Sequence, residues 1–250
     1  MTGHAFILHL TRATARRENA KRLRDDCGLP AEIWPAVDGA AMDDRDLKAR
    51  VDAGLFAPRY PFPLRTGEIG CFLSHRQIWA EILRRDLDHA LILEDDAGLD
   101  PDQFAQALAL AHAHLDRFGY IQFQTRAARG PARLVAAQGA CQLLLPQMGG
   151  LRTTGQLIDR ASAERLLAAS ERFDRPVDTF VQSHWHTGLR PAMILPSGLS
   201  EIADQLEGST IQSARKSFPE KLRREWLRGR YRRAVRHASA SSTAPDPSND

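Results

Sequence analysis

The apolar run Ala90-Leu91-Ile92-Leu93 ends in three consecutive acids, Glu94-Asp95-Asp96, and this junction constrains the chain more than any other segment. An aliphatic run bounded by charge reads as a buried strand that surfaces at its carboxyl end. In open α/β sheets those ends face the ligand crevice, where acids hold a divalent cation against a substrate's phosphates. Strand alternation sends Glu94 and Asp96 to one side and Asp95 to the other, unless the chain is already turning. The motif is short, and an acidic, solvated strand end is its plain alternative.

The rest of the chain alternates strand and helix signals. Ala5 to Leu10 reads as a first strand, Thr14 to Asp26 as a helix, and Asp43 to Ala53 as a second, short one. Pro58, Pro61 and Pro63, around Tyr60 and Phe62, mark a loop with the look of a lid. Phe72, Trp79, Ile82 and Leu83 recur at helical spacing, predicting a helix over 68–86; Phe104, Leu108 and Leu115 mark another after Pro101. Residues 120–124, 141–145, 156–158 and 192–195 read as further strands. The pattern predicts an α/β fold, a mostly parallel sheet with helices on both faces.

At 250 residues, 43% hydrophobic and 26% charged, the chain is long enough for one substantial core. Cys27, Cys71 and Cys141 form no paired motif, so neither a disulfide framework nor a zinc site is indicated, and a reduced, cytoplasmic chain is expected. Cys71, among apolar residues, reads as a packing residue. No run approaches the ~18 apolar residues of a membrane span, and the N-terminal apolar run has only strand length.

The segment Gly67-Glu68-Ile69-Gly70-Cys71-Phe72-Leu73-Ser74-His75-Arg76, followed by the acidic strand end, resembles glycosyltransferase family 25, the lipooligosaccharide-type and collagen-type sugar transferases. Ala36-Val37-Asp38-Gly39 is similar to an early turn of that family. Leu157-Ile158-Asp159-Arg160 and Pro176-Val177-Asp178 follow in the expected order, so the resemblance covers roughly residues 4 to 212. Two departures stand out. Gly155-Gln156 replaces a small residue and an aromatic, and Arg152 stands where a glycine is common.

The resemblance implies a GT-A-like, metal-dependent, inverting transferase. Its donor would be a nucleotide sugar, UDP-galactose first and UDP-glucose next, with Mn2+ or Mg2+. Its acceptor would be a lipooligosaccharide or other surface glycan or glycolipid. Inversion needs one carboxylate base at the acceptor hydroxyl. Asp178, in the proline-valine-aspartate piece, is the first choice for that base and Glu201 the second. Asp96, Asp95 and His184, from the pair His184-Trp185-His186, are the expected metal ligands. His75, Glu94 and Asp95 are the expected donor contacts, although a buried, hydrogen-bonded role suits His75 as well. Ser74 lacks nucleophile-elbow glycines. Arg126, Arg129 and Arg133 make a basic loop that matches no phosphate-cradling motif, so a solvated turn is its plainer reading.

Composition shifts after residue 212. Arg215 to Arg236 holds ten basic residues against two acidic, a surplus of eight on a chain of net charge +3, so the remainder is net acidic. The expected organisation is a catalytic domain over 1–212, a basic helical segment over 213–236 and a disordered tail over 237–250. The basic segment suits an anionic membrane surface or a solvated cap. Two other classes use some of the same features: a nucleotidyltransferase would need similar acids, and a nucleic-acid-binding module would use the basic segment. The arginines lack a base-reading motif, so no nucleic acid partner is expected.

Overall fold

The computed structural model describes residues 2–127, 130–206 and 218–242. In chain order the elements are β1 (Gly3–His9), α1 (Arg17–Asp26), β2 (Ala31–Pro35), α2 (Asp44–Arg50), α3 (Thr66–Arg84), β3 (His89–Glu94), β4 (Ala97–Leu99), α4 (Pro101–Phe118) and β5 (Tyr120–Phe123). They continue as β6 (Ala132–Gln138), β7 (Cys141–Pro146), β8 (Gly155–Asp159), α5 (Arg160–Ala169), α6 (Val177–Gln182), α7 (His184–Thr187), β9 (Ala192–Leu195), β10 (Leu199–Glu201) and α8 (Phe218–Ala240).

Eight strands form one sheet in the order β2-β1-β3-β8-β5-β9-β7-β6, and β4 pairs with β10 in a separate ribbon. Within the sheet six strands run one way, and β8 and β7 run against them. The α/β expectation is met, and the mostly parallel character lies in strand direction: β8 inserts between β3 and β5 and makes both of those pairings antiparallel.

Alternation along the strands divides the core into two layers. Ala5, Ile7, Leu91, Leu93, Leu157 and Ile121 face Leu23 of α1 and Phe104, Leu108 and Leu115 of α4. Phe6, Leu8, Ala90, Ile92, Ile158 and Tyr120 face Phe72, Trp79 and Ile82 of α3, Leu166 of α5 and Phe180 of α6. A strand covered on both faces must be apolar throughout, which is why residues 90–93 carry no polar alternation.

Sequence periodicity did not show β2, β6 or the β4–β10 ribbon. β6 is exposed along much of its length and carries no buried stripe, and β4 and β10 span three residues each.

The lid expectation for the proline loop is corrected. Arg175, fully buried, donates to Phe56 O (2.8 Å) and Pro58 O (3.2 Å), and Trp185 Nε1 donates to Ala57 O (2.9 Å). Tyr60 packs edge-on against Tyr231 of α8, with ring centroids 5.5 Å apart. The loop is tethered between α7 and α8.

The C-terminal boundary also moves. The helix expected to stop at residue 236 runs to Ala240, because Val235 and Ser239 are buried against the domain. Arg129 of the basic loop, residues 207–217 across the expected domain boundary and 243–250 of the expected tail lie outside the described residues. No helix among the described residues is long and apolar enough to cross a membrane.

Candidate active site

β3 delivers Glu94 to the sheet edge, and Asp95-Asp96 form the turn into β4. The three acids do different work. Asp95 is buried, its Oδ2 bonded to His9 Nδ1 at 2.8 Å and its Oδ1 accepting from Arg16 Nη1 at 3.0 Å. Its backbone N–H donates to Leu8 O, and Asn19 Nδ2 donates to both Asp95 O (2.9 Å) and Ala97 O (2.8 Å). With both carboxylate oxygens engaged, Asp95 locks the turn onto β1. That corrects its assignment as a metal ligand and donor contact.

Glu94 and Asp96 are the pair that converges. Burial and then the Asp96 charge push the Glu94 carboxyl up to about 7, although Thr153 Oγ1 donates to Glu94 Oε1 at 2.6 Å. Burial also raises Asp96, against the lowering pull of Arg16, whose Nη1 donates to Asp96 Oδ2 at 2.9 Å. The Asp178 charge pushes Glu94 further in the same direction. Asp178 lies in the first turn of α6, where Oδ1 accepts from Thr179 N (2.6 Å) and Oδ2 from Arg152 N (3.2 Å). Pro176, not Asp178, caps that helix.

Glu201 is brought to the same end because β10 pairs with β4, Glu201 opposite Ala97. Its Oε1 accepts from Thr125 Oγ1 (2.8 Å), and its Oε2 takes Arg126 Nη2 (3.2 Å) and Arg152 Nη1. A carboxylate committed to two guanidiniums is a poor proton acceptor, so its reading as a base is corrected: it holds two arginines.

His75 and His184 are corrected as well. His75 is fully buried, its Nδ1 donating to Cys71 O (3.0 Å) and its Nε2 accepting from Gln156 Nε2 (2.9 Å), while Gln156 Oε1 accepts from the Tyr120 hydroxyl. Burial lowers His75 to about 4, so the ring is neutral. The network ties α3 to β8 and β5 and explains Gln156: a polar side chain there satisfies both Tyr120 and His75, which an aromatic ring would leave unpaired. His184 is buried between α7 and α8, with Nδ1 on Ser242 Oγ and Nε2 on Ser239 Oγ, both at 3.0 Å. Neither ring nitrogen is left to bind a metal.

The Gly67–Arg76 segment owes its residue types to packing. Ser74 Oγ accepts from Val37 N (2.8 Å) and donates to Gly70 O (2.7 Å), and Glu68 closes the start of α3 by accepting from Arg65 N (2.8 Å). Burial holds the Cys71 thiol well above its usual range, with Sγ 3.9 Å from Glu94 Oε1, so it packs as a protonated thiol. A cleft of about 560 Å3 flanks the β4–β10 ribbon, lined by Asn19, Arg22, Thr125 and Ser197 among others; none of the acids at 94–96 or 178 lines it.

Sequence reading missed His9, Arg16, Thr153 and the role of Arg126. His9 and Arg16 had one available signal: they close the first strand and the turn after it, and parallel neighbours bring such loops to the same sheet edge. Among the described residues, no cluster of three or more His, Cys, Asp and Glu side chains is arranged to hold a metal.

Fold and site together define an α/β domain in which a central strand and the turn after it bring a carboxylate pair to the carboxyl end of the sheet. Residues 2–181 match Glycosyltransferase family 25 (LPS biosynthesis protein), and the chain belongs to that family. It is 42% identical over 102 residues to a glycosyltransferase 25 family member of Drosophila melanogaster, a match covering 38% of this chain and 16% of that protein. It is 36% identical over 115 residues to human procollagen galactosyltransferase 2, covering 45% of this chain and 18% of that protein. The matched segments thus span less than a fifth of those relatives. A mannose-1-phosphate geranyltransferase structure from Thermus thermophilus aligns with TM-score 0.41 at 12% identity, over 78% of this chain and 74% of that one, a likeness too distant to argue from.

Proposed function

We propose that the protein moves a hexose, galactose first, from a UDP-linked donor to a lipooligosaccharide or other surface-glycan acceptor, with inversion, at the cytoplasmic face of the membrane. The observation that carries the reading is the convergence of Glu94, Asp96 and Asp178 at the end of β3, with Glu94 raised to about 7 by burial and by the neighbouring acids. Membership of the family and the similarity to procollagen galactosyltransferases support galactose.

Glu94 and Asp96 fit a hard divalent cation, Mn2+ or Mg2+. They are half-buried, the Asp96 charge raises the proton affinity of Glu94, and two carboxylates would suit an ion that completes its shell with water and phosphate oxygens. When bound, such an ion stabilises the charge that develops on a departing diphosphate. The chain's own residues supply the rest. Asp178 Oδ2 takes the proton of the acceptor hydroxyl while the Arg152 N–H and Thr179 hold the carboxylate in place. Asp95 and Arg16 keep the acidic turn in register. Inversion then needs no covalent intermediate.

The test is a screen of the purified protein against UDP-galactose, UDP-glucose and other nucleotide sugars with Mn2+ or Mg2+, reading release of nucleoside diphosphate. Turnover of nucleoside triphosphates in place of nucleotide sugars would favour the nucleotidyltransferase reading.

A further inference from the structure

Arg152 adopts φ +80°, in the left-handed region that favours glycine and strains residues with a side chain. Its guanidinium meets the Glu201 carboxylate, which also takes Arg126 at 3.2 Å. One carboxylate thus gathers two guanidiniums, leaving a surplus positive charge beside a group of acids. Arg152 feels the charges of Asp178, Glu94 and Asp96, and its side chain is 41% exposed. Three carboxylates at a transfer site repel an anionic leaving group, so cationic groups are needed to hold it, and the planar fork of arginine matches phosphate oxygens in pairs.

Resting on the transferase reading above, we propose that Arg152 and Arg126, set side by side by Glu201, clamp the diphosphate of the nucleotide-sugar donor. The left-handed backbone serves this role: it turns the Arg152 N–H onto Asp178 and the side chain onto Glu201, so one residue joins the base to the clamp.

The clamp predicts two readouts that move in opposite directions. Arg152→Gly removes the guanidinium and relieves the backbone, so thermal stability holds or rises while affinity for a nucleoside diphosphate falls about 10- to 100-fold, the range of charge-assisted hydrogen bonds. A residue with a merely structural role would lower both. Calorimetric titration of the full chain with UDP, GDP, CDP and ADP identifies the best nucleotide, which is then compared with its nucleoside on wild type, Arg152→Gly, Arg152→Lys and Arg126→Ala. The expected result is weakened diphosphate binding in all three variants, least in Arg152→Lys, with nucleoside binding unchanged. Wild-type diphosphate affinity in Arg152→Gly and Arg126→Ala, or an equal loss for the nucleoside, overturns the clamp and leaves the transferase reading standing. No nucleoside diphosphate binding by the wild type overturns both.

Discussion

Gly70 of α3 and Gly39 meet backbone to backbone: a β-carbon on Gly70 would fall 2.8 Å from Gly39 N and 2.5 Å from Val37 O. The contact seats the start of α3 against the Val37-Asp38-Gly39 turn, where Ser74 also accepts from Val37 N. Gly70→Ala forces two stretches of backbone apart and should cost about 1–3 kcal/mol, read as a lower melting temperature. Gly229, with nothing within 4 Å of its would-be β-carbon in α8, is the control: Gly229→Ala should hold or raise stability. Equal effects at both positions would sink the packing argument.

Asp95 and Asp96 should separate stability from activity. Asp95→Ala leaves the buried Arg16 and His9 short of a partner, a loss on the order of 3 kcal/mol or more in thermal or urea unfolding. Asp96→Ala should melt close to wild type yet lose transfer, since Asp96 is the more open of the two. A folded Asp96→Ala with normal turnover would remove it from the chemistry.

The pH dependence of stability has opposite signs at different buried groups. Glu94, raised from 4.5 to about 7, keeps a proton in the folded state that the unfolded chain has released, so stability falls as pH rises from about 4.5 to 7 and the loss is complete above 7. Metal-free Glu94→Gln should therefore melt higher than wild type at pH 8, by on the order of 2–3 kcal/mol, and show no such gain at pH 4. His75 and His184, lowered from 6.5 to about 4, act the other way: the unfolded chain binds their protons first, and stability is lost as pH falls from about 6.5 toward 4. Thermal melts from pH 4 to 9 read both limbs.

Asp178→Asn preserves shape and removes the proton acceptor. Transfer should fall about 100-fold or more with donor affinity retained, the usual scale for a general base. Parallel loss of donor affinity and rate would instead make Asp178 a donor contact.

On α8, Leu222 and Trp226 lie one turn apart and are 65% and 59% exposed, while Tyr231, Val235 and Ser239 turn toward the domain. Removing the helix would strip Ser239 from His184 and Tyr231 from Arg175, so substitution is the cleaner test of membrane docking. Leu222→Ser with Trp226→Ser should keep the melting temperature and weaken co-sedimentation with vesicles containing phosphatidylglycerol at low salt. Wild-type binding that survives 1 M salt, where the Debye length is about 3 Å, would argue against an electrostatic hold.

By itself the sequence determined the layered α/β architecture, because strands covered on both faces must be apolar throughout and the helices on them carry one apolar stripe. It also marked the acidic turn, since three adjacent acids after Leu93 are visible without coordinates. The tertiary structure decided what each acid does. Asp95 and Asp96 are neighbours of the same type, yet Arg16 and His9, some eighty residues earlier, occupy both oxygens of Asp95 and leave Asp96 more open. His184 and His75 look alike as motif histidines, and only their partners, Ser239 and Ser242 for one and Gln156 for the other, make them structural. Glu201 meets Arg126 and Arg152 because β10 pairs with β4, a ribbon too short to carry a periodic signal. Pattern along the chain reports burial, whereas the role of a charged group depends on which distant charges folding brings to it.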